Sequence, residues 1–137
     1  MPIITYYPIA AQVTAFSTTR HGGVGKGCYS EFNINPYCGD DPQAIIANRK
    51  ALAAELQVDE NHVVMAHQVH GDDCLVVDND LLRLPEKKRL AALEGHDALI
   101  TQLGNVCIGV STADCIPVLL YDTTHHAVAA IHAGWRG

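Results

Sequence analysis

Short apolar runs separated by polar, glycine-containing segments dominate the second half of the chain, and this pattern predicts strands. The runs occupy residues 63–66, 74–77, 98–101, 106–110, 116–121 and 127–131. Their lengths and β-branched content favour strands over helices, and a further strand is predicted at residues 13–19. Several of the runs are apolar on both faces, which predicts strands that are covered on both sides.

Two helices are predicted beside these strands. The longer one follows Asp40 or Asp41, either of which can cap it, and has Pro42 in its first turn. Its apolar positions repeat at helical spacing until it ends near Gln57. Residues 85–93 predict a shorter, charged helix. The pattern therefore predicts a single domain over residues 1–137, of the α/β or α+β class, with a mixed β-sheet.

Composition and charge exclude several kinds of partner. Of the 137 residues, 48% are hydrophobic, which is typical of a globular protein. The net charge is −6 and the nine Lys and Arg residues form no basic stripe, so we expect no nucleic-acid partner. The longest apolar run is too short to span a bilayer, so we expect no membrane association. Because the N-terminus lacks the positive region of a signal peptide, we expect a cytoplasmic protein.

Polar groups suited to chemistry lie at the ends of four predicted strands. They are residues 67–71, Asp97, Asp114 with Cys115, and residues 132–137. Side chains at strand ends often carry function, and a Cys-His-His set leaves a fourth zinc position open for water. The spacing alone does not bring them together, however. A buried structural thiol at Cys115 and a hydrogen-bonded histidine at His132 fit the same residues.

The five cysteines and the glycine-rich segment at residues 20–27 carry weaker signals. The cysteines form no CxxC pair, which favours free thiols in a chain without a secretion signal. The glycine-rich segment is not a phosphate-binding P-loop, because it lacks the GxxxxGK[ST] pattern and no apolar helix follows it directly. We interpret it as a loop bordering a pocket, with Arg20 available to an anion.

Five stretches taken in order are more specific than any of these signals. They are TTRHGGVGKGCYSEFNIN, AHQVHG, DALIT, GVSTADCIPVLLYD and AAIHAGWRG. On these motifs, residues 13–137 resemble the YfiH-like, laccase-domain family. The resemblance implies a layered α/β sandwich and a metal site of two histidines and one cysteine. Carried over by motif, the ligands are His70 from QVHG, Cys115 from ADC and His132 from HAGWRG.

The same resemblance implies a zinc-dependent purine nucleoside enzyme. Members are described as catalysing phosphorolysis of adenosine, inosine, guanosine or methylthioadenosine, and deamination of adenosine. The expected small-molecule partners are therefore a purine nucleoside and phosphate. For deamination we expect Asp114 to carry protons beside Cys115 and His132. For phosphate we expect Arg20, with Asn33 as a polar loop contact and Arg136 as a weaker cation.

Two other enzymatic functions and one non-enzymatic function remain open as hypotheses. Older descriptions make the family copper-dependent polyphenol oxidases, but a multicopper site needs roughly ten His and Cys ligands, and the chain has eight histidines in all. Cys115 and His132 could instead act without a metal, as the thiolate–imidazole pair of a cysteine hydrolase or amidase. A folded module that has lost its activity is the third reading.

Family members continue past HAGWRG, so we expect this chain to correspond to an incomplete domain, lacking roughly the C-terminal 100 residues. A helix is expected after Trp135, and apolar strand edges are expected to be exposed. A monomer of 137 residues is then expected to be poorly stable, which a cooperative melt at ordinary temperatures would contradict. The preferred nucleoside, the metal in the cell and the oligomeric state are left open by the sequence.

Overall fold

The computed structural model describes residues 1–135, and its contacts divide the chain into two compact units. The first unit is Met1–Glu60 and the second is Asn61–Gly137. Among the described residues, no helix is long and apolar enough to cross a membrane.

The first unit begins with a hairpin of two antiparallel strands, β1 (Ile4–Ala10) and β2 (Val13–Thr18). Strand β2 confirms the strand predicted at residues 13–19. Strand β1 was not predicted, because Pro8 interrupts it and five of its seven residues are exposed, so that it shows no buried face. Its register with β2 shifts between Tyr7 and Ala10, as at a β-bulge.

The long helix of this unit, α1 (Pro42–Leu56), has the predicted bounds. The Asp41 side chain caps it by accepting a hydrogen bond from the Gln43 N–H, and Gln57 ends it in the left-handed conformation. Helix α1 also holds the preceding loop, because buried Asn48 hydrogen-bonds three backbone groups. Its Oδ1 accepts from the N–H of Val24, and its Nδ2 donates to the carbonyls of Glu31 and Asn33.

The second unit contains a parallel pair and a four-stranded mixed sheet. The pair is β3 (Val63–Met65) with β6 (Cys107–Gly109). The larger sheet contains β4 (Cys74–Val76), β5 (Ala98–Thr101), β7 (Ile116–Asp122) and β8 (Ala127–Ala133), in the order β4-β5-β8-β7. Strands β4 and β5 are parallel, and the other two pairs are antiparallel. The predicted α+β class with a mixed sheet is confirmed.

Two short helices, α2 (Asn79–Arg83) and α3 (Glu86–Ala92), follow β4 in this unit. Helix α3 confirms the charged helix predicted at residues 85–93. Helix α2 was not predicted, because five residues are too few to show a helical period. The helices lie beside a buried apolar cluster formed by Val64, Ala66, Val77, Leu81, Leu93 and Leu99. Leu99 on β5 and Val64 on β3 are both fully buried, so this core fixes the strands that carry the site.

The prediction that several strands are covered on both sides is correct for β3 and wrong for β7. All three residues of β3 are buried. Along β7, Ile116 is 67% exposed and Leu120 is 54% exposed. The reason is position, since in the part of the chain that the structure describes β7 is the edge of its sheet and pairs with β8 alone. The apolar edge expected from the sequence is thus present at β7.

Candidate metal centre

Three side chains of the second unit converge at one end of the mixed sheet. The ligand atoms of His70, Cys115 and His132 all lie within 4.8 Å of one another. In a tetrahedral zinc site with bonds of about 2.0–2.3 Å, the ligand atoms lie roughly 3.3–3.8 Å apart, so a mutual distance of at most 4.8 Å is close to the spacing that one ion requires. Among the described residues, no other group of three or more His, Cys, Asp and Glu side chains is arranged in this way. The structure therefore brings together the three residues that the motifs indicate.

Strand register explains how residues so far apart in sequence meet. Pro117 pairs with His132 across β7 and β8, which places Cys115, just before β7, beside the end of β8. Ala98 pairs with Ile131 across β5 and β8, so Asp97 lies opposite His132. The His132 N–H continues this ladder by donating to the Asp97 carbonyl at 2.8 Å.

The side chain of Asp97 is buried within this end of the sheet, with a residue exposure of 2%. Its Oδ1 accepts hydrogen bonds from the N–H groups of Val69 and Gly71, both at 2.9 Å. Its Oδ2 accepts from the His70 N–H at 3.0 Å and lies 2.7 Å from the Nδ1 of His132. One carboxylate therefore joins the backbone around the first histidine to the ring of the third ligand.

The electrostatics of Asp97 follow from these contacts. Burial by itself would raise its pKa, but the hydrogen bonds from the backbone of Gly71 and Val69, the His132 side chain and the His70 backbone outweigh it. The pKa of Asp97 is therefore lowered from its ordinary value. At neutral pH the group is an ionised acceptor, which makes His132 Nδ1 the donor of their hydrogen bond.

The two histidines differ in exposure, which gives the cluster an open and a closed side. His132 is 5% exposed, whereas His70 is an exposed residue. Their rings meet edge to face with centroids 5.1 Å apart. Gly134 lies against the same cluster, since a Cβ there would stand 3.8 Å from Cys115 Sγ and from His70 Cδ2. A small residue at this position leaves space beside two of the ligands.

His70 also has a backbone conformation that is uncommon outside glycine. Its φ is +59°, in the left-handed region where histidine occurs more often than most residues. The N–H groups of residues 69–71 converge on one carboxylate there, an arrangement that suits anions. Asp97 thus stabilises the backbone conformation that presents the His70 ring.

A second side chain, Gln68, joins the His70 loop to the Cys115 loop. Its Nε2 donates to the Ser111 carbonyl and its Oε1 accepts from the Ser111 N–H, both at 2.7 Å. The Gln68 amide therefore supplies both backbone groups of Ser111 with the hydrogen-bond partners that a neighbouring strand would otherwise provide. Ser111 lies four residues before Cys115. Asp97 and Gln68 together connect all three segments that carry the ligands.

Replacing Gln68 with alanine is expected to loosen the Cys115 loop. Two backbone groups lose their partners, which costs roughly 1–3 kcal/mol of unfolding free energy. Zinc affinity is expected to fall as well, because Cys115 is less well placed. Urea unfolding followed by circular dichroism measures the first effect, and competition with a zinc chelator measures the second.

Gln102→Ala is the matched control for this variant. Gln102 also donates from its side chain to a backbone carbonyl, that of His125 at 2.9 Å. It is exposed and follows β5 at the other end of that strand from Asp97. We expect zinc affinity to be unchanged in this control, and an equal loss in both variants would contradict the role given to Gln68.

Of the other predicted site residues, three lie in loops of the described chain. Asp114 is exposed directly before Cys115. Arg20, in the first unit, is exposed and donates from Nε and Nη2 to the Ser30 carbonyl. Asn33 uses its side chain within its own loop, donating to Cys38 Sγ and to Asp40 and accepting from the Asn35 N–H. Arg136 lies outside the described residues.

Backbone groups of the glycine-rich segment serve local structure, in agreement with its rejection as a P-loop. The N–H groups of Gly22, Val24 and Gly25 donate to Glu31 Oε2, Asn48 Oδ1 and the Glu31 carbonyl, respectively. A Cβ on Gly23 would stand 2.4 Å from the Glu31 carbonyl oxygen. Close packing is therefore a sufficient reason for glycine at that position.

Asp97 lies at a predicted strand end, but the sequence assigns no role to its side chain or to that of Gln68. Most hydrogen-bond partners of these two side chains are backbone groups that are distant in sequence. They lie 26 to 28 positions along the chain from Asp97 and 43 positions from Gln68. Residue types and spacing carry no trace of such bonds. The only available signal was that both residues lie inside the quoted motifs.

Comparison with known proteins shows the family of this chain. A family model described as multi-copper polyphenol oxidoreductase laccase matches residues 14–137. The chain belongs to this laccase family. One relative similar in sequence is a purine nucleoside phosphorylase of Bacteroides thetaiotaomicron, which is 40% identical over 127 residues. Another is adenosine deaminase RL5 of an unknown prokaryotic organism, which is 45% identical over 125 residues. These alignments cover 93% and 91% of this chain.

The chain shares its fold with solved structures of similar proteins. The crystal structure of Bacillus licheniformis hypothetical protein YfiH matches with a TM-score of 0.88 at 33% identity, over 100% of this chain and 51% of the other. YlmD from Geobacillus stearothermophilus matches with a TM-score of 0.84 at 33% identity, over 96% of this chain and 48% of the other. The chain spans about half the length of the curated relatives it matches, 47% and 48% for the two described above.

Proposed function

We propose that this chain carries the metal centre of a zinc-dependent enzyme acting on purine nucleosides by phosphorolysis and by deamination of adenosine. The observation that carries the proposal is the convergence of His70, Cys115 and His132 within 4.8 Å. The names of relatives about 40% identical over nine-tenths of the chain support the substrate class. Zinc is the metal best matched to two imidazoles and one thiolate with an open position.

The donor set suits zinc on chemical grounds. The half-buried Cys115 supplies a sulfur ligand, and His132 presents its Nε2 because its Nδ1 is engaged by Asp97. His70, on the exposed side, completes the set and leaves an accessible position. A zinc ion bound there would act as a Lewis acid that activates water or polarises a substrate group.

Proton transfer and phosphate binding fall to other residues of the chain in this proposal. Asp114 is exposed beside Cys115 and is available to carry protons during deamination, whereas Asp97 is committed to its four hydrogen bonds. For phosphate we propose Arg20, whose Nη1 is not used in its bonds to Ser30. The Asn33 amide is engaged in its own loop, so its contribution is to hold that loop, and Arg136 is the weaker second cation.

A turnover assay coupled to metal analysis tests the function. We expect one zinc per chain, inosine formed from adenosine without phosphate, and free base formed from inosine only when phosphate is present. Oxidation of phenols with neither nucleoside reaction would contradict the proposal and favour a copper oxidase.

A metal-free cysteine hydrolase is the second candidate, and one observation favours it. Cys115, His132 and Asp97 form a thiol–imidazole–carboxylate series, with His132 Nδ1 2.7 Å from the carboxylate as in a catalytic triad. Such an enzyme would use Cys115 as a nucleophile and His132 as its base. His70 separates the two candidates, because a metal site requires it and a triad does not.

A further inference from the structure

We propose that Asp97 is the positioning residue of the metal centre, fixing both the tautomer of His132 and the backbone that presents His70. The inference rests on the metal site of the proposed function and adds a residue that is not itself a ligand. Its basis is that one buried carboxylate reaches two of the three ligand-bearing segments, through three backbone N–H groups and one imidazole nitrogen.

The directions of these hydrogen bonds follow from their chemistry. A backbone N–H can only donate, so both oxygens of Asp97 act as acceptors for residues 69–71. With Oδ2 already accepting from the His70 N–H, the 2.7 Å contact is completed by a proton on His132 Nδ1. A neutral imidazole with its proton on Nδ1 has its lone pair on Nε2. His132 is then ready to bind a metal through Nε2 before any metal arrives.

Changing Asp97 to asparagine replaces one acceptor oxygen with a donor NH₂ group, with little change in the shape of the side chain. Asparagine can keep one oxygen facing the N–H groups of Val69 and Gly71, but its NH₂ group then faces the His70 N–H and the His132 ring. A donor at that position favours the other tautomer of His132, with the proton on Nε2. That proton occupies the position from which His132 would bind a metal.

The test compares Asp97→Asn with Asp73→Asn in the full 137-residue chain. Asp73 is exposed and lies in the segment before β4, so its replacement makes the same change in charge without touching the ligands. We expect Asp97→Asn to lower zinc affinity 10- to 100-fold, as measured by chelator competition. Asp73→Asn is expected to leave the affinity unchanged. An affinity within twofold of wild type for Asp97→Asn overturns the proposal.

Histidine nitrogen NMR provides a readout that a purely structural role would not move. Long-range ¹H–¹⁵N spectra near pH 8 should show His132 protonated on Nδ1 in the wild-type chain, both metal-free and zinc-loaded. A folded Asp97→Asn chain without metal should show the proton on Nε2. A wild-type His132 with its proton on Nε2 overturns the proposal, even if the variant fails to fold.

These measurements also separate the inference from the proposed function. If the wild-type chain binds zinc but converts no nucleoside, the proposed function fails and the affinity comparison still stands. If the wild-type chain binds no zinc, the assignment of a metal site fails. The tautomer of His132 then decides by itself whether Asp97 positions the ring.

Discussion

Replacing His70 with alanine is expected to abolish zinc-dependent turnover while leaving the rest of the cluster folded. His70 is exposed and supplies one of the three ligand atoms. Its ring is not part of the bonds that hold Asp97, which use the backbone of residues 69–71. We expect zinc affinity to fall by more than about 100-fold, since loss of an outer partner alone commonly costs 10- to 100-fold. Chelator competition and a nucleoside assay measure the two effects.

This variant also decides between the metal enzyme and the cysteine hydrolase. Cys115, His132 and Asp97 remain in place without the His70 ring, so a thiol hydrolase would keep its amidase activity. His125→Ala is the control, because His125 is an exposed histidine on the β7–β8 turn whose Nδ1 pairs with Asp122 at 2.7 Å. Unchanged zinc affinity in His70→Ala would contradict the assignment of this residue as a ligand.

Replacing Leu99 with alanine is expected to cause the largest loss of stability of the variants considered. Leu99 is fully buried on β5 within the apolar cluster of the second unit. Truncating such a leucine costs roughly 2–5 kcal/mol, through lost burial and the cavity left behind. Zinc affinity should fall too, because Asp97 directly precedes β5 and lies two residues before Leu99. Urea unfolding followed by circular dichroism gives the free energy of unfolding.

Leu120→Ala makes the same chemical change at an exposed position. Leu120 lies on the edge strand β7 and is 54% exposed, so the expected loss is less than about 1 kcal/mol. Equal losses at the two positions would show that the cluster around Leu99 is not the core of this unit. If Leu120→Ala lowered zinc affinity and Leu99→Ala did not, the expectation that the buried cluster supports the metal site would be contradicted.

The secondary structure was largely predictable because its causes are local. Apolar runs of strand length predicted the six strands described in the second unit within two residues of their ends, and Asp40 or Asp41 with Pro42 marked the start of α1. What was missed has a physical reason in each case. Strand β1 has no buried face, helix α2 is only five residues long, and exposure of β7 depends on which strand forms the edge of the sheet.

The site was predictable only in part. Residues alone placed Cys115 and His132 at strand ends, but their convergence depends on strand register, which local sequence does not contain. Family motifs supplied the set with His70, and the structure brings those three side chains together. The support beneath them was not predictable, since Asp97 and Gln68 act mainly through backbone groups of distant segments.

In the proposed function, His70, Cys115 and His132 together bind one zinc ion. X-ray absorption at the zinc edge of the loaded chain measures this coordination. We predict one zinc per chain, with one sulfur at about 2.3 Å and three nitrogen or oxygen neighbours at about 2.0–2.1 Å, two of them imidazoles. A zinc environment without sulfur, or a chain that retains no stoichiometric zinc, would contradict the claim.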